Sequence, residues 1–240
     1  MSSNTRTYVL VHGAFHGGWC WRRVADRLCA EGHRVFTPTC TGTGERLHLL
    51  TAQGGLETVV ADIVNVLIFE ELEKVILVGH SFGGVIITAA ADCEAERISH
   101  LVYLDGVVLE DGECALDHIP AGLAAQRRLD ARRTSQGLTI PPPSPEVFGV
   151  TDEADAAWLR RRLTPQPLAT YTDALNLSAP FGNGLQRTYI ACIKPRYTPL
   201  ATSHERARSQ PGWNWQELPT GHDAMITAPD AVAALLLDLA

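Results

Sequence analysis

The sequence predicts an α/β fold: a mostly parallel sheet with helices on both faces and an inserted, mainly helical cap. Two observations predict it. Short apolar runs alternate with stretches of helical apolar spacing from Tyr8 to Leu104, and such alternation implies parallel strands joined by helical crossovers. From about Val107 to Gly184 the alternation fails, and it resumes with Arg187. The core is therefore assigned to residues 1–106 and 185–240, and the cap to residues 107–184.

Tyr8 to Val11 is a short apolar strand. It runs into His12-Gly13-Ala14-Phe15-His16-Gly17-Gly18, which is too glycine-rich to continue as strand or helix. Trp21, Val24, Ala25, Leu28 and Cys29 fall at helical spacing, with Gly32 as the stop. Arg34 to Thr37 reads as a second strand closed by Pro38, and Thr39 to Leu50 as a loop at its carboxyl end. Leu56, Val59, Val60, Ile63, Val64, Leu67 and Ile68 mark one face of a long amphipathic helix. Val75 to Val78 is continuously apolar, as suits a strand buried on both faces, and Val85 to Ala91 suits a helix packed on a sheet. Ile98 to Leu104 is a fourth strand ending at Asp105-Gly106.

The cap region holds Pro141 to Pro143, Pro145 and two expected helices, near Ala121 to Arg133 and Asp152 to Leu163. Its arginines (Arg127, Arg128, Arg132, Arg133, Arg160, Arg161 and Arg162) read as a solvated helix surface rather than as recognition of an anion. Arg187 to Ile193 is then a strand, Pro199 to Ser209 a helix, and Asn214 to Leu218 a last strand. The turn Thr220-Gly221-His222 and a final helix after Pro229 follow.

Composition narrows the function. At 240 residues and 45% hydrophobic content the chain can bury a full core. Twenty Lys and Arg against 27 Asp and Glu leave a formal charge of −7, so no basic surface is offered to nucleic acid. Met1 to Thr7 is polar, and no apolar run approaches the length of a membrane span. A soluble, cytoplasmic protein without membrane association is the expectation. The six cysteines (Cys20, Cys29, Cys40, Cys93, Cys114 and Cys192) show no Cys-x-x-Cys pair and read as reduced, mostly buried side chains. No cofactor or metal motif is present, and the His12 to Gly18 loop matches neither nucleotide-binding glycine pattern.

The chemistry gathers at Gly79-His80-Ser81-Phe82-Gly83. On its own a Gly-x-Ser-x-Gly string could be an ordinary turn. Between a buried strand and a helix it becomes a sharp elbow that exposes Ser81 as a nucleophile. Such a nucleophile requires an acid and then a histidine further along the chain. His222, after the last strand, can reach back to Ser81 as general base. From Ala174 through His204 there is no Asp or Glu, so the usual seat of the acid after the penultimate strand is empty. Asp105 ends the strand that follows the nucleophile helix, and the acid is assigned to it. The competing reading of Asp105 is turn capping ahead of Gly106. The oxyanion hole is expected from the backbone N–H groups of Phe82 and Ala14, with Phe15 next in order. Phe15 and His16 are expected to line the substrate pocket.

With these residues in view, the sequence resembles the α/β-hydrolases, and within them the plant methylesterase and hydroxynitrile lyase group with its bacterial esterase relatives. The resemblance rests on Tyr8-Val-Leu-Val-His-Gly-Ala-Phe-His-Gly-Gly-Trp-Cys-Trp21 and Lys74-Val-Ile-Leu-Val-Gly-His-Ser-Phe-Gly-Gly84. It implies a serine nucleophile at Ser81, a histidine base at His222 and backbone donors at Ala14 and Phe82. The group's aspartate aligns near Pro195, where this chain has none. The lyases of the group carry a threonine where this chain has Gly13 and a lysine where it has Asp223, so cyanohydrin cleavage is not expected. The reading is a serine hydrolase acting on a small aromatic or methyl ester, with amide, carbamate or lactone substrates next, no cofactor, and a homodimer compatible with the sequence. The alternatives are a lyase or cofactor-free oxygenase using His222 as base, or a ligand receptor.

Overall fold

The computed structural model describes residues 5–239, so Met1 to Asn4 of the polar lead lie outside the described residues. In chain order the core opens with β1 (Thr7–Val11), α1 (Arg22–Ala30), β2 (Arg34–Phe36), α2 (Leu56–Phe69), β3 (Val75–His80), α3 (Gly83–Cys93) and β4 (Ile98–Leu104). The segment that follows carries α4 (Ala121–Ser135), β5 (Thr139–Ile140), α5 (Glu153–Arg160), β6 (Gln166–Pro167) and α6 (Ala169–Thr172). The core resumes with β7 (Gln186–Cys192), α7 (Ala201–Ser209), β8 (Trp213–Leu218), α8 (Ala224–Thr227) and α9 (Pro229–Leu237).

The main sheet has the order β2-β1-β3-β4-β7-β8, and all five pairings are parallel. Central strand β3 is buried at every residue, as its unbroken apolar sequence demands. Helix α1 packs on α9, and α2 packs on α3. This division is expected when connections leave β1 in opposite directions, one toward β2 and the other toward β3. The strand order reverses there, opening a crevice at the carboxyl ends of β1 and β3. The His12 to Gly18 loop and Ser81 both emerge at these ends.

The cap segment is mainly helical and also carries a two-stranded antiparallel ribbon, in which β5 and β6 pair Thr139 with Pro167 and Ile140 with Gln166. Strands of two residues are too short to show alternation in sequence. The arginines, expected as a solvated surface, are not uniformly solvated. Arg128, Arg132, Arg133, Arg160 and Arg161 are exposed, but Arg127 is buried in the inner side of α4.

All six cysteines are free, four of them buried. Among the described residues no helix is long and apolar enough to cross a membrane.

Candidate active site

The turn between β3 and α3 is built by steric constraint. Ser81 has a positive φ of 52°, a conformation that costs a non-glycine residue strain and that elbow geometry over-determines. A Cβ on Gly79 would lie 2.5 Å from the Gly83 carbonyl oxygen, so this strand could not approach the helix so closely with any other residue. Gly13 serves the same purpose on the β1 loop: a Cβ there would lie 2.7 Å from Ser81 Cβ.

The structure brings Ser81, His222 and Asp105 together. Ser81 Oγ donates to His222 Nε2 at 2.9 Å, and His222 Nδ1 donates to Asp105 Oδ2 at 2.6 Å. Asp105 directly follows β4 with a positive φ of 44° and is fully buried. Its other oxygen, Oδ1, accepts from His204 Nε2 at 2.7 Å and from the Cys192 N–H at 3.1 Å. Burial pushes its pKa up, but hydrogen bonds from His204 and His222, and their charges when protonated, outweigh that and bring it down to about 2. The loop after β7, where no carboxylate exists, instead folds on itself with Ile193 bridged to Arg196.

The His222 ring is enclosed by aromatic groups. Tyr197 stacks on it at 4.2 Å between centroids, His80 lies at 4.6 Å, and Phe148 of the cap at 6.0 Å. Such packing locks the imidazole plane and excludes water. His80 donates from Nε2 to the His222 carbonyl at 3.0 Å, which anchors the loop that carries the base.

Among the described residues neither Ala14 N nor Phe82 N makes a hydrogen bond; Ala14 lines the cavity that holds Ser81 and His222, and Phe82 follows Ser81 directly. Phe15 N, by contrast, is taken: it donates to Gln166 Oε1 at 3.0 Å, and Gln166 Nε2 donates to Thr170 Oγ1. Phe15, the third-choice donor of the sequence reading, therefore contributes its buried side chain to the cavity rather than its N–H.

His16 also lines the cavity, but both its ring nitrogens are engaged. Nδ1 donates to the Ala14 carbonyl at 2.7 Å, and Nε2 donates to Asp223 Oδ2 at 3.1 Å. Burial lowers the pKa of His16, and the charge and hydrogen bond of Asp223 more than reverse this, leaving it raised. Asp223, raised by burial and lowered more strongly by His16, ends below the usual carboxylate range. The result is a buried imidazolium and carboxylate pair that ties the loop after β1 to the loop after β8. It fixes the peptide that presents the Ala14 N–H.

The chemistry such an arrangement can perform is acyl transfer. A carbonyl carbon set against Ser81 Oγ could be attacked by the hydroxyl as His222 takes its proton, and the unengaged N–H groups of Ala14 and Phe82 are the candidates to receive its oxygen. Donor atoms of His80, His222 and Asp223 lie within 4.8 Å of one another. They do not suit a metal, because both His222 nitrogens and His80 Nε2 already hold hydrogen bonds, leaving fewer ligands than a protein zinc site uses.

The sequence reading missed His204, Gln166, Tyr197 and the burial of Arg127. Of these, only His204 carried a signal: it lies in the helix just after the strand whose acid seat is vacant.

The chain is similar to known proteins along nearly its whole length. A family model described as "Alpha/beta hydrolase family" matches residues 8–235. A carbendazim hydrolyzing esterase of Nocardioides sp. (strain SG-4G) is 40% identical over 97% of this chain and 98% of its own length. Methylesterase 10 of Arabidopsis thaliana is 27% identical over 97% of this chain and 91% of its own. Among solved structures, an extracellular alpha/beta-hydrolase from a Paenibacillus species superposes with a TM-score of 0.85. It is 23% identical and covers 97% of this chain and 98% of that one.

Proposed function

The chain belongs to the alpha/beta hydrolase family, and from that premise we propose that it is a serine esterase cleaving a small carboxylic ester, aromatic or methyl, through an acyl-enzyme. The observation that carries the proposal is the continuous hydrogen-bonded series Ser81, His222, Asp105, closed at 2.9 and 2.6 Å beneath the cap.

In this reading Ser81 Oγ attacks the ester carbonyl while His222 Nε2 takes its proton. Asp105 holds the Nδ1–H tautomer and stabilises the imidazolium. The oxyanion collects hydrogen bonds from Ala14 N–H and Phe82 N–H, the second at the start of α3, where the helix dipole also favours negative charge. The His222 proton passes to the departing alkoxide, and water deacylates Ser81 by the reverse sequence. The cavity wall includes the apolar side chains of Phe15, Val107, Ile119, Phe148 and Leu200 and the Tyr171 ring. Such a wall suits an aryl or compact acyl group. The carbendazim hydrolyzing relative makes carbendazim a natural member of the test panel.

The test is hydrolysis of aryl and methyl esters, an amide, a carbamate and carbendazim, with Ser81→Ala protein alongside. Turnover lost in the variant, together with a covalent adduct seen by intact mass, is the expected result. Turnover that survives Ser81→Ala would overturn the acyl-enzyme and favour chemistry by His222 alone.

A further inference from the structure

Arg127 is a buried cation with no anion. It projects from α4, is 9% exposed and lines the same cavity as Ser81 and His222. Its Nη1 is buried with no acceptor, and among the described residues no carboxylate forms an ion pair with it. Asp130, one turn further along α4, accepts instead from Gln126 Nε2 at 2.7 Å. Asp223, which lines the cavity, contacts His16, and Glu113 is held by His118 and Arg206, so neither carboxylate forms an ion pair with Arg127.

The contacts Arg127 does make are aromatic. Its guanidinium lies 4.9 Å from the centroid of the Tyr171 ring, and Tyr171 stacks on Phe82 at 5.0 Å with an interplanar angle of 12°. Phe82 follows the nucleophile directly, so the cation stands two ring layers from the elbow. It also borders a second groove, lined by Leu123, Ile140, Pro141 and Tyr197, which lies outside the catalytic cavity. The cation thus sits in the wall between the inner cavity and this outer groove.

A buried guanidinium is costly to desolvate, and proteins nearly always supply it with an acceptor. A cation–π contact recovers part of that cost, and Nη1 still has no acceptor. We propose that Arg127 is the specificity-determining residue of the site and that the substrate is an ester carrying a carboxylate, which the guanidinium binds at a distance from the scissile carbonyl. The guanidinium fork matches a carboxylate in two parallel hydrogen bonds, which an ammonium cannot do. The proposal deepens the esterase reading and rests on it for the chemistry, whereas the anion site can be tested without turnover.

Two ligand pairs test it. The first compares 4-nitrophenyl hydrogen glutarate with methyl 4-nitrophenyl glutarate as substrates. The second compares the monoanilide of glutaric acid with its methyl ester as ligands of Ser81→Ala protein, which has no nucleophile to acylate, by calorimetry. The protein with Arg127 in place is expected to prefer the acid in both pairs. In Arg127→Met and Arg127→Gln that preference, expressed as a ratio so that any loss common to both ligands cancels, should shrink about 10- to 100-fold, the range for a charge-assisted hydrogen bond. Arg127→Lys should keep part of it. Two neutral variants and one charged one are used so that a misfolded protein, recognised by its melting curve, does not decide the matter.

A preference for the neutral ligands, or a ratio that the variants leave unchanged, overturns the anion site even if esters are hydrolysed. Tighter binding of the acid, lost in Arg127→Gln, in a protein that turns over neither ester would sustain the anion site and remove the esterase reading instead.

Discussion

His204 donates from Nε2 to Asp105 Oδ1 at 2.7 Å, on the carboxylate oxygen opposite the one that holds His222. Asp105 is thereby clamped from both sides, and the rotation that would misalign the His222 ring is blocked. His204 touches no reacting atom; it is a positioning residue, braced by edge contacts with Tyr189 and Trp215. His204→Leu should lower kcat about 10-fold, on the order of one lost charge-assisted hydrogen bond, with KM little changed. His204→Gln keeps a donor at similar reach and should recover most of the rate. Steady-state kinetics on one activated ester checks both. An unchanged kcat in the leucine variant would show that Cys192 N–H and His222 alone suffice to hold the acid.

Asp105→Asn should retain the fold and reduce kcat by ~10⁴, because an amide donating to His222 Nδ1 selects the wrong tautomer. Circular dichroism and a rate measurement together decide it. Activity near that of the unaltered protein would return Asp105 to a turn-capping role and leave His222 without an assigned partner.

The meeting of Ser81 with His222 is legible in the sequence because it rests on local chemistry. The glycines of the elbow sit beside a strand and a helix, and the histidine follows a late strand. Asp105 is legible by elimination, since the stretch from Ala174 to His204 offers no carboxylate. Arg127 is not legible. It stands among exposed arginines of the same helix, and whether one of them turns inward depends on where the cap docks, which no spacing encodes. Gln166 and the ribbon of β5 with β6 escape for a related reason. Each acts through a partner distant in the chain, and a strand of two residues has no period to read.

Stability should fall on the acid side of neutrality well before the carboxylates titrate. His12 and His80 are buried, and burial holds their pKa values at about 4 and about 3, below the ordinary 6.5. For His12 the geometry gives the reason. Nδ1–H donates to the Gly13 carbonyl at 2.8 Å, so Nε2 must accept from the Cys40 N–H at 3.0 Å, and a second proton there would face a donor. A depressed folded pKa means that the unfolded chain binds protons the folded chain refuses, so this stability is present above pH 6.5 and lost toward pH 4 and 3. Asp105, lowered from 3.8 to about 2, adds a further loss across that interval. His16 has the opposite sign: its raised pKa makes its contribution complete below 6.5 and lost as pH rises through its folded value. Burial also lowers His100, so three depressed histidines stand against one raised. Melting temperature should therefore decline from pH 6.5 downward and steepen below pH 4. A melting temperature that stays level down to pH 4 would sink this account.

Gln166 should matter to catalysis although it belongs to the cap and makes no contact with Ser81 or His222. Phe15 holds a positive φ of 70°, a conformation that a bulky residue adopts only when its surroundings enforce it. The enforcing contact is the bond from Phe15 N–H to Gln166 Oε1 at 3.0 Å, with Gln166 itself pinned by Thr170. Removing it frees the peptide next to Ala14, whose N–H must be aimed before an oxyanion forms. Gln166→Leu, close in volume but without the acceptor, leaves a buried N–H unsatisfied and should lower kcat about 10- to 100-fold, less than the ~10²- to 10³-fold for outright loss of an oxyanion donor. Because the ground-state ester depends less on that donor than the oxyanion does, KM should move by less than kcat. Equal losses in kcat and in the stability of a bound, uncharged ligand would point instead to collapse of the cap, and kinetics measured beside calorimetric binding separates the two.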